Sequence, residues 1–99
     1  MEQITINSLK TRMENNEHPV LVDVREPHER EEFNIGGLHI PLGKIMSMQA
    51  DELDDMKDEE IILYCRSGQR SMQAALMLET MGFKNVKNLE GGMNAWQAG

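Results

Sequence analysis

The chain has 99 residues, a single cysteine and a formal net charge of −7 at pH 7. This length favours one domain, residues 1–99, around one hydrophobic core. The acidic balance argues against a nucleic-acid binder. No apolar run approaches the ~20 residues that span a bilayer, and a lone cysteine excludes an internal disulfide. We therefore expect a cytoplasmic protein that binds neither nucleic acid nor a membrane.

The first third of the chain predicts two strands and two helices. Residues 4–6 alternate like a short edge strand, and Ser8 is the predicted N-cap of a helix over 9–15. Residues 20–24 are a nearly continuous apolar run, interrupted by Asp23 and mostly β-branched, which is typical of a parallel strand covered on both faces. An acidic helix over 27–33 follows, with a proline in its first turn.

The rest of the chain continues the alternation of strands and helices. In order, we predict an extended segment over 38–42, a helix over 45–56, a strand over 61–64, a buried helix over 71–81 that ends at Gly82, a strand over 86–89, and a C-terminal helix opened by Gly91-Gly92. Strands that alternate with helices indicate an α/β fold with a mainly parallel sheet and helices on both faces.

The chemistry is predicted at the end of the apolar strand over 61–64. Cys65 follows this strand and precedes the loop Arg66-Ser67-Gly68-Gln69-Arg70-Ser71. Backbone N–H groups in such a loop, together with the positive end of the next helix, form an anion site and favour a thiolate. Two arginines add positive charge, and Gly68 suits a backbone with positive φ. Asp23 and Arg25 lie at the end of another strand, and we expect this strand end to lie close to the Cys65 loop.

Plainer interpretations remain open for these residues. Cys65 is the type of residue that often fills a core without any chemistry. Asp23 and Arg25 are interpreted first as an ion pair that supports the loop. Arg66 either contacts substrate or extends into solvent, and Arg70 is the stronger candidate for substrate contact. No metal site is predicted, because the histidines lack partners at ligand spacing and the acidic run over 51–60 lacks the pattern of a calcium loop.

Four sequence patches resemble the rhodanese family of sulfurtransferases. They are Asp23-Val24-Arg25-Glu26, the loop from Cys65 to Ser71, Gly82-Phe83 with Asn85-Val86, and Leu89-Glu90-Gly91-Gly92-Met93-Asn94-Ala95-Trp96. The resemblance implies a rhodanese-like fold and a persulfide on Cys65. Its donor would be thiosulfate or another persulfide, and its acceptor a thiol, cyanide or a sulfur-relay protein. No organic cofactor is implied.

One segment departs from the family pattern. Between Glu32 and Gly43 the chain is shorter than the usual connection, and His39 falls where the family carries asparagine. We therefore assign no catalytic role to His39.

Two other functions stay open at this stage. Cysteine phosphatases and arsenate reductases place five residues between cysteine and arginine, whereas four separate Cys65 from Arg70. A shorter loop makes a smaller ring of donors, which suits one sulfur atom better than a tetrahedral oxyanion. The second alternative is a rhodanese-like interaction module without turnover, although such modules often lack the cysteine that this chain keeps.

Overall fold

The computed structural model describes all residues, 1–99, and shows five strands and five α-helices. In chain order these are β1 (Glu2–Ile4), α1 (Ile6–Glu14), β2 (Val20–Asp23), α2 (Pro27–Glu32), β3 (Leu38–His39), α3 (Leu42–Met46), a 3-10 helix (Asp51–Met56), β4 (Glu60–Tyr64), α4 (Gln69–Thr80), β5 (Asn85–Leu89) and α5 (Gly92–Ala98). None of the helices has the length and apolar character that would let it cross a membrane.

The strands form one parallel sheet with the order β1-β5-β4-β2-β3. Successive side chains of the central strand β4 point to opposite faces. Ile61 and Leu63 pack in a cluster with residues of α3, α4 and the 3-10 helix, whereas Ile62 and Tyr64 pack in a cluster with residues of α1 and α5. The predicted α/β architecture with helices on both faces is confirmed.

The start of the chain differs from the prediction by a few residues. The edge strand is Glu2–Ile4, and Thr5 is the N-cap of α1 because its hydroxyl accepts a hydrogen bond from the Ser8 amide at 3.1 Å. The prediction of Ser8 as the N-cap was wrong. Either residue has a suitable hydroxyl, and the pairing of β1 with β5 places Thr5 at the point where the strand ends.

The single helix predicted over residues 45–56 was wrong. Helix α3 ends at Met46, Met48 has a left-handed backbone with φ of +60°, and a separate 3-10 helix begins at Asp51. The turn lets both Ile45 and Leu53 enter the same core, while Met48 is exposed. A helical spacing of apolar residues cannot reveal such a break, because α3 and the 3-10 helix each present an apolar face to the core.

Helix α4 begins two residues earlier than predicted and is less buried. Gln69, Arg70 and Ser71 form its first turn, and Gly82 follows its end with φ of +100°, as expected. Met72 and Leu76 are exposed, so the prediction of a buried helix was wrong for this outer face.

Strands β2 and β4 are neighbours, with Asp23 in register with Tyr64. The amide of Val24 donates to the carbonyl oxygen of Tyr64 at 3.1 Å, which keeps the strand ends together. The segments that follow these strands, Val24–Glu26 and Cys65–Gly68, therefore leave the sheet side by side.

Candidate active site

The Cys65 thiol lies inside the loop that follows β4. Its Sγ atom accepts hydrogen bonds from the backbone amides of Gly68 at 3.1 Å and Ser71 at 3.4 Å, and the Ser71 hydroxyl lies 3.4 Å away. Cys65 is fully buried, although the loop side chains of Arg66, Ser67 and Gln69 are exposed. The donors of the loop therefore converge on the sulfur.

The Cys65 sulfur takes the place of an N-cap side chain at the start of α4. Gly68 is the N-cap residue and provides no side-chain hydrogen bond, so the first amides of the helix need another acceptor. Its φ of +102° confirms the predicted positive value, and its own amide donates to Sγ. An acceptor at a helix N-terminus is favoured further when it carries negative charge.

Burial raises the pKa of the Cys65 thiol, but hydrogen bonds outweigh it. The donors are the Ser71 hydroxyl and the backbone amides of Ser71, Gly68 and Ser67, and together they hold the pKa below its ordinary value. This is the direction predicted from the sequence. A thiol with a lowered pKa supplies more thiolate, the form that acts as a nucleophile.

Asn88 of β5 holds the loop by hydrogen bonds, a role that the sequence analysis missed. Its Nδ2 atom donates to the Gly68 carbonyl at 3.0 Å and to Gln3 Oε1 at 3.2 Å, and its Oδ1 atom accepts from the Ser71 hydroxyl. The residue is almost fully buried. The signal available was a polar residue inside a strand that otherwise faces the core, because buried amides need partners.

Helix α5 holds the other side of the loop. The amides of Met93 and Asn94 donate to the carbonyl oxygens of Cys65 and Arg66, both at 2.9 Å. Gly92 permits this contact because a Cβ atom there would overlap the Cys65 carbonyl oxygen. The Gly91-Gly92 pair therefore allows α5 to pack closely against the loop.

The two loop arginines have different surroundings. Arg70 donates from both terminal nitrogens to the Glu29 carboxylate of α2, at 2.7 and 2.8 Å. Arg66 is 62% exposed, and its Nη1 atom lies 3.9 Å from Glu29. The hydrogen bonds from Arg70 lower the pKa of Glu29 to about 2, so this carboxylate is ionised at neutral pH. The sequence analysis singled out both arginines but not Glu29.

Asp23 and Arg25 form the buried ion pair that was the first interpretation of these residues. Asp23 accepts from the Arg25 amide at 3.0 Å and from its guanidinium at 2.9 and 3.0 Å. Arg25 also donates to the carbonyl of Phe33 at 2.6 Å, so this hydrogen bond joins the two ends of α2. The carbonyl of Arg25 accepts a hydrogen bond from His39 at 2.8 Å. The pair lies beside the loop and braces the segment that carries Glu29.

We expect Ser71→Ala to raise the pKa of Cys65, because the substitution removes one of the hydrogen bonds that favour the thiolate. The backbone donors remain, and Asn88 shares the hydroxyl proton. The measurement is the ultraviolet absorbance of the thiolate against pH. Ser67→Ala is the control, because it changes only an exposed side chain of the loop; equal midpoints in both variants would contradict the assignment.

This combination of a parallel α/β sheet and a cysteine cradled at the end of its central strand defines a class of domain. The sequence profile of the family described as Rhodanese-like domain matches residues 5–99. The chain belongs to the rhodanese-like domain family, as its motifs predicted.

Proteins similar to this chain have sulfur-transfer names, and a solved structure has the same fold. It is 42% identical to the Bacillus subtilis protein named "Putative sulfurtransferase YtwF", over 98% of this chain and 91% of that protein. It is 36% identical to a protein named "Sulfurtransferase" from Allochromatium vinosum, over 97% of this chain and 88% of that protein. A crystal structure of a rhodanese-like domain protein from Staphylococcus aureus superposes with a TM-score of 0.82 at 32% identity, covering 97% of this chain and 91% of that one. The proteins that this chain resembles over nearly its whole length are therefore named for sulfur transfer.

Proposed function

We propose that the protein transfers a sulfane sulfur from thiosulfate or a persulfide donor to a thiol or cyanide, through a persulfide on Cys65. The observation that carries this proposal is the geometry of Sγ, which accepts amide hydrogen bonds at 3.1 and 3.4 Å at the start of α4. A thiolate is stabilised there, and a second sulfur attached to it would carry the same negative charge.

In the first step the Cys65 thiolate attacks the outer sulfur of the donor. With thiosulfate, the sulfur–sulfur bond of the donor breaks, its electron pair leaves with sulfite, and a persulfide anion forms on Cys65. With a persulfide donor, the leaving group is the donor's thiolate. The reaction needs no oxidant or proton donor, because the total charge is the same before and after.

In the second step an acceptor removes the outer sulfur. A thiolate attacks that sulfur and leaves as a new persulfide, or cyanide attacks it and leaves as thiocyanate, and the Cys65 thiolate returns. A thiol on a sulfur-relay protein would react in the same way as a small thiol. Splitting the transfer into two covalent steps predicts ping-pong kinetics.

The loop residues have different roles in the proposed reaction. The amides of the segment Arg66–Ser71 hold the persulfide charge, with Gly68 and Ser71 as the direct donors. Arg66 is exposed and attracts an anionic donor, whereas the guanidinium of Arg70 is paired with Glu29. Ser67 and Gln69 line the outer side of the loop. Asp23 and Arg25 support the neighbouring segment and do not contact substrate.

Three assays separate this proposal from its alternatives. We expect turnover of thiosulfate or a persulfide with cyanide, parallel lines in double-reciprocal plots, and no hydrolysis of an aryl phosphate. Hydrolysis of the phosphate alone would instead favour a cysteine phosphatase. Activity on none of these substrates would favour an interaction module.

A further inference from the structure

Glu29 forms an ion pair with Arg70, a loop cation that could otherwise bind a small anion. Both of its carboxylate oxygens accept from Arg70, at 2.7 and 2.8 Å, and Oε1 also accepts from the Glu26 amide at 3.0 Å. The Glu29 side chain is only 8% exposed. A bidentate pair of this geometry is strong and directional, so Arg70 is held in one orientation.

The surrounding charges leave Arg66 as the less engaged arginine of the loop. Its closest approach to Glu29 is 3.9 Å, and its side chain is 62% exposed. Arg25, on the neighbouring strand end, is already paired with Asp23 at 2.9 Å. Asp23 is shared with Arg30, whose Nη1 atom lies 3.4 Å from it. Of the two arginines that the sequence places next to Cys65, Glu29 therefore neutralises Arg70 and leaves Arg66 less engaged.

We propose that Glu29 sets the charge selectivity of the donor step, so that the site favours donors with one negative charge at the reacting sulfur over the thiosulfate dianion. This inference rests on the proposed sulfur transfer. A persulfide brings one negative charge to the Cys65 thiolate, whereas thiosulfate brings two. Because Glu29 pairs with Arg70, it withholds that guanidinium from the donor, and the loss of this attraction weakens binding of a dianion more than binding of a monoanion.

The test is Glu29→Gln, assayed with thiosulfate and with mercaptoethanol persulfide. Glutamine keeps one oxygen for the Glu26 amide, removes the charge and replaces the second oxygen with an NH2 donor, so at least one of the hydrogen bonds from Arg70 is lost. We expect the ratio of kcat/KM for thiosulfate to that for the persulfide to rise about tenfold, the change that corresponds to 1.4 kcal/mol. In ping-pong kinetics kcat/KM for the acceptor reports only the second step, and it should not change.

Two control variants separate selectivity from structural support. Glu32→Gln removes an exposed charge from the same helix and should leave the ratio unchanged. Arg70→Ala in the Glu29→Gln background should abolish the gain, because the released guanidinium is its source. An unchanged ratio, or an equal fall in kcat/KM for both donors, would overturn the proposal. No sulfur transfer from either donor to the unaltered protein would instead overturn the proposed function.

A measurement on the unaltered protein avoids any question of whether the variant folds. Sulfate and methanesulfonate are similar in shape and differ by one charge. As inhibitors of the persulfide reaction, we expect methanesulfonate to bind at least as tightly as sulfate. Binding of sulfate tenfold tighter than methanesulfonate would overturn the proposal.

Discussion

Cys65→Ser is expected to abolish sulfur transfer from every donor while leaving the fold intact. Serine cannot form the persulfide, and the chain has no other thiol to replace it. The hydroxyl is smaller than the thiol but keeps an acceptor at the same place in the loop, so the Gly68 and Ser71 amides keep a polar partner. We expect a loss of roughly three orders of magnitude or more in kcat.

The measurements are initial rates with thiosulfate and cyanide, together with thermal unfolding of both proteins. A melting temperature within a few degrees of the unaltered protein would attribute the lost activity to chemistry. Retained turnover in Cys65→Ser would remove Cys65 as the nucleophile.

Gly92→Ala should damage stability and activity together. Gly92 has φ of +53°, and a Cβ atom there would overlap the Cys65 carbonyl oxygen and lie 2.8 Å from the carbonyl carbon and oxygen of Arg66. All of these atoms are backbone, so the strain cannot be relieved by turning a side chain. We expect a loss of at least about 2 kcal/mol in the free energy of unfolding.

The same clash should displace the loop that carries the thiol. Separating α5 from the loop weakens the bonds from Met93 and Asn94 to the Cys65 and Arg66 carbonyls. A shift of about 1 Å can cost about a hundredfold in rate, and we expect a fall of this size in the folded fraction. Denaturant unfolding and initial rates measure the two effects.

Gly43→Ala is the matched control for Gly92→Ala. Gly43 has no positive φ and no atom within 4 Å of a Cβ placed there, so alanine should be tolerated in α3. Equal stability and activity in the Gly43 and Gly92 variants would contradict the account of α5 as the support of the loop.

The parts of the fold that could be predicted from sequence are those set by local pattern. Strands β2 and β4 are covered on both faces, so their apolar runs were visible without knowledge of the sheet. The loop after β4 was recognisable because a thiol, a glycine and two arginines lie within six residues. The break at Met48 was not, because a left-handed turn at a methionine has no local signature.

The parts of the site that could not be predicted depend on distant pairings. Glu29 and Arg70 are separated by 41 residues, and their contact requires the adjacency of β2 and β4. Glu29 was one of several acidic residues on α2; its place two residues after Pro27 fits a helix cap for the Glu26 amide, but no local feature indicates its pairing with Arg70. Asn88 likewise gained its role only when β5 was placed beside β4.

The most direct test of the central claim is the intact mass of the protein after incubation with thiosulfate or a persulfide. The account predicts a gain of one sulfur atom, its removal by a reducing thiol, and no gain in Cys65→Ser. No added sulfur with either donor, or an adduct that forms equally on the serine variant, would contradict it.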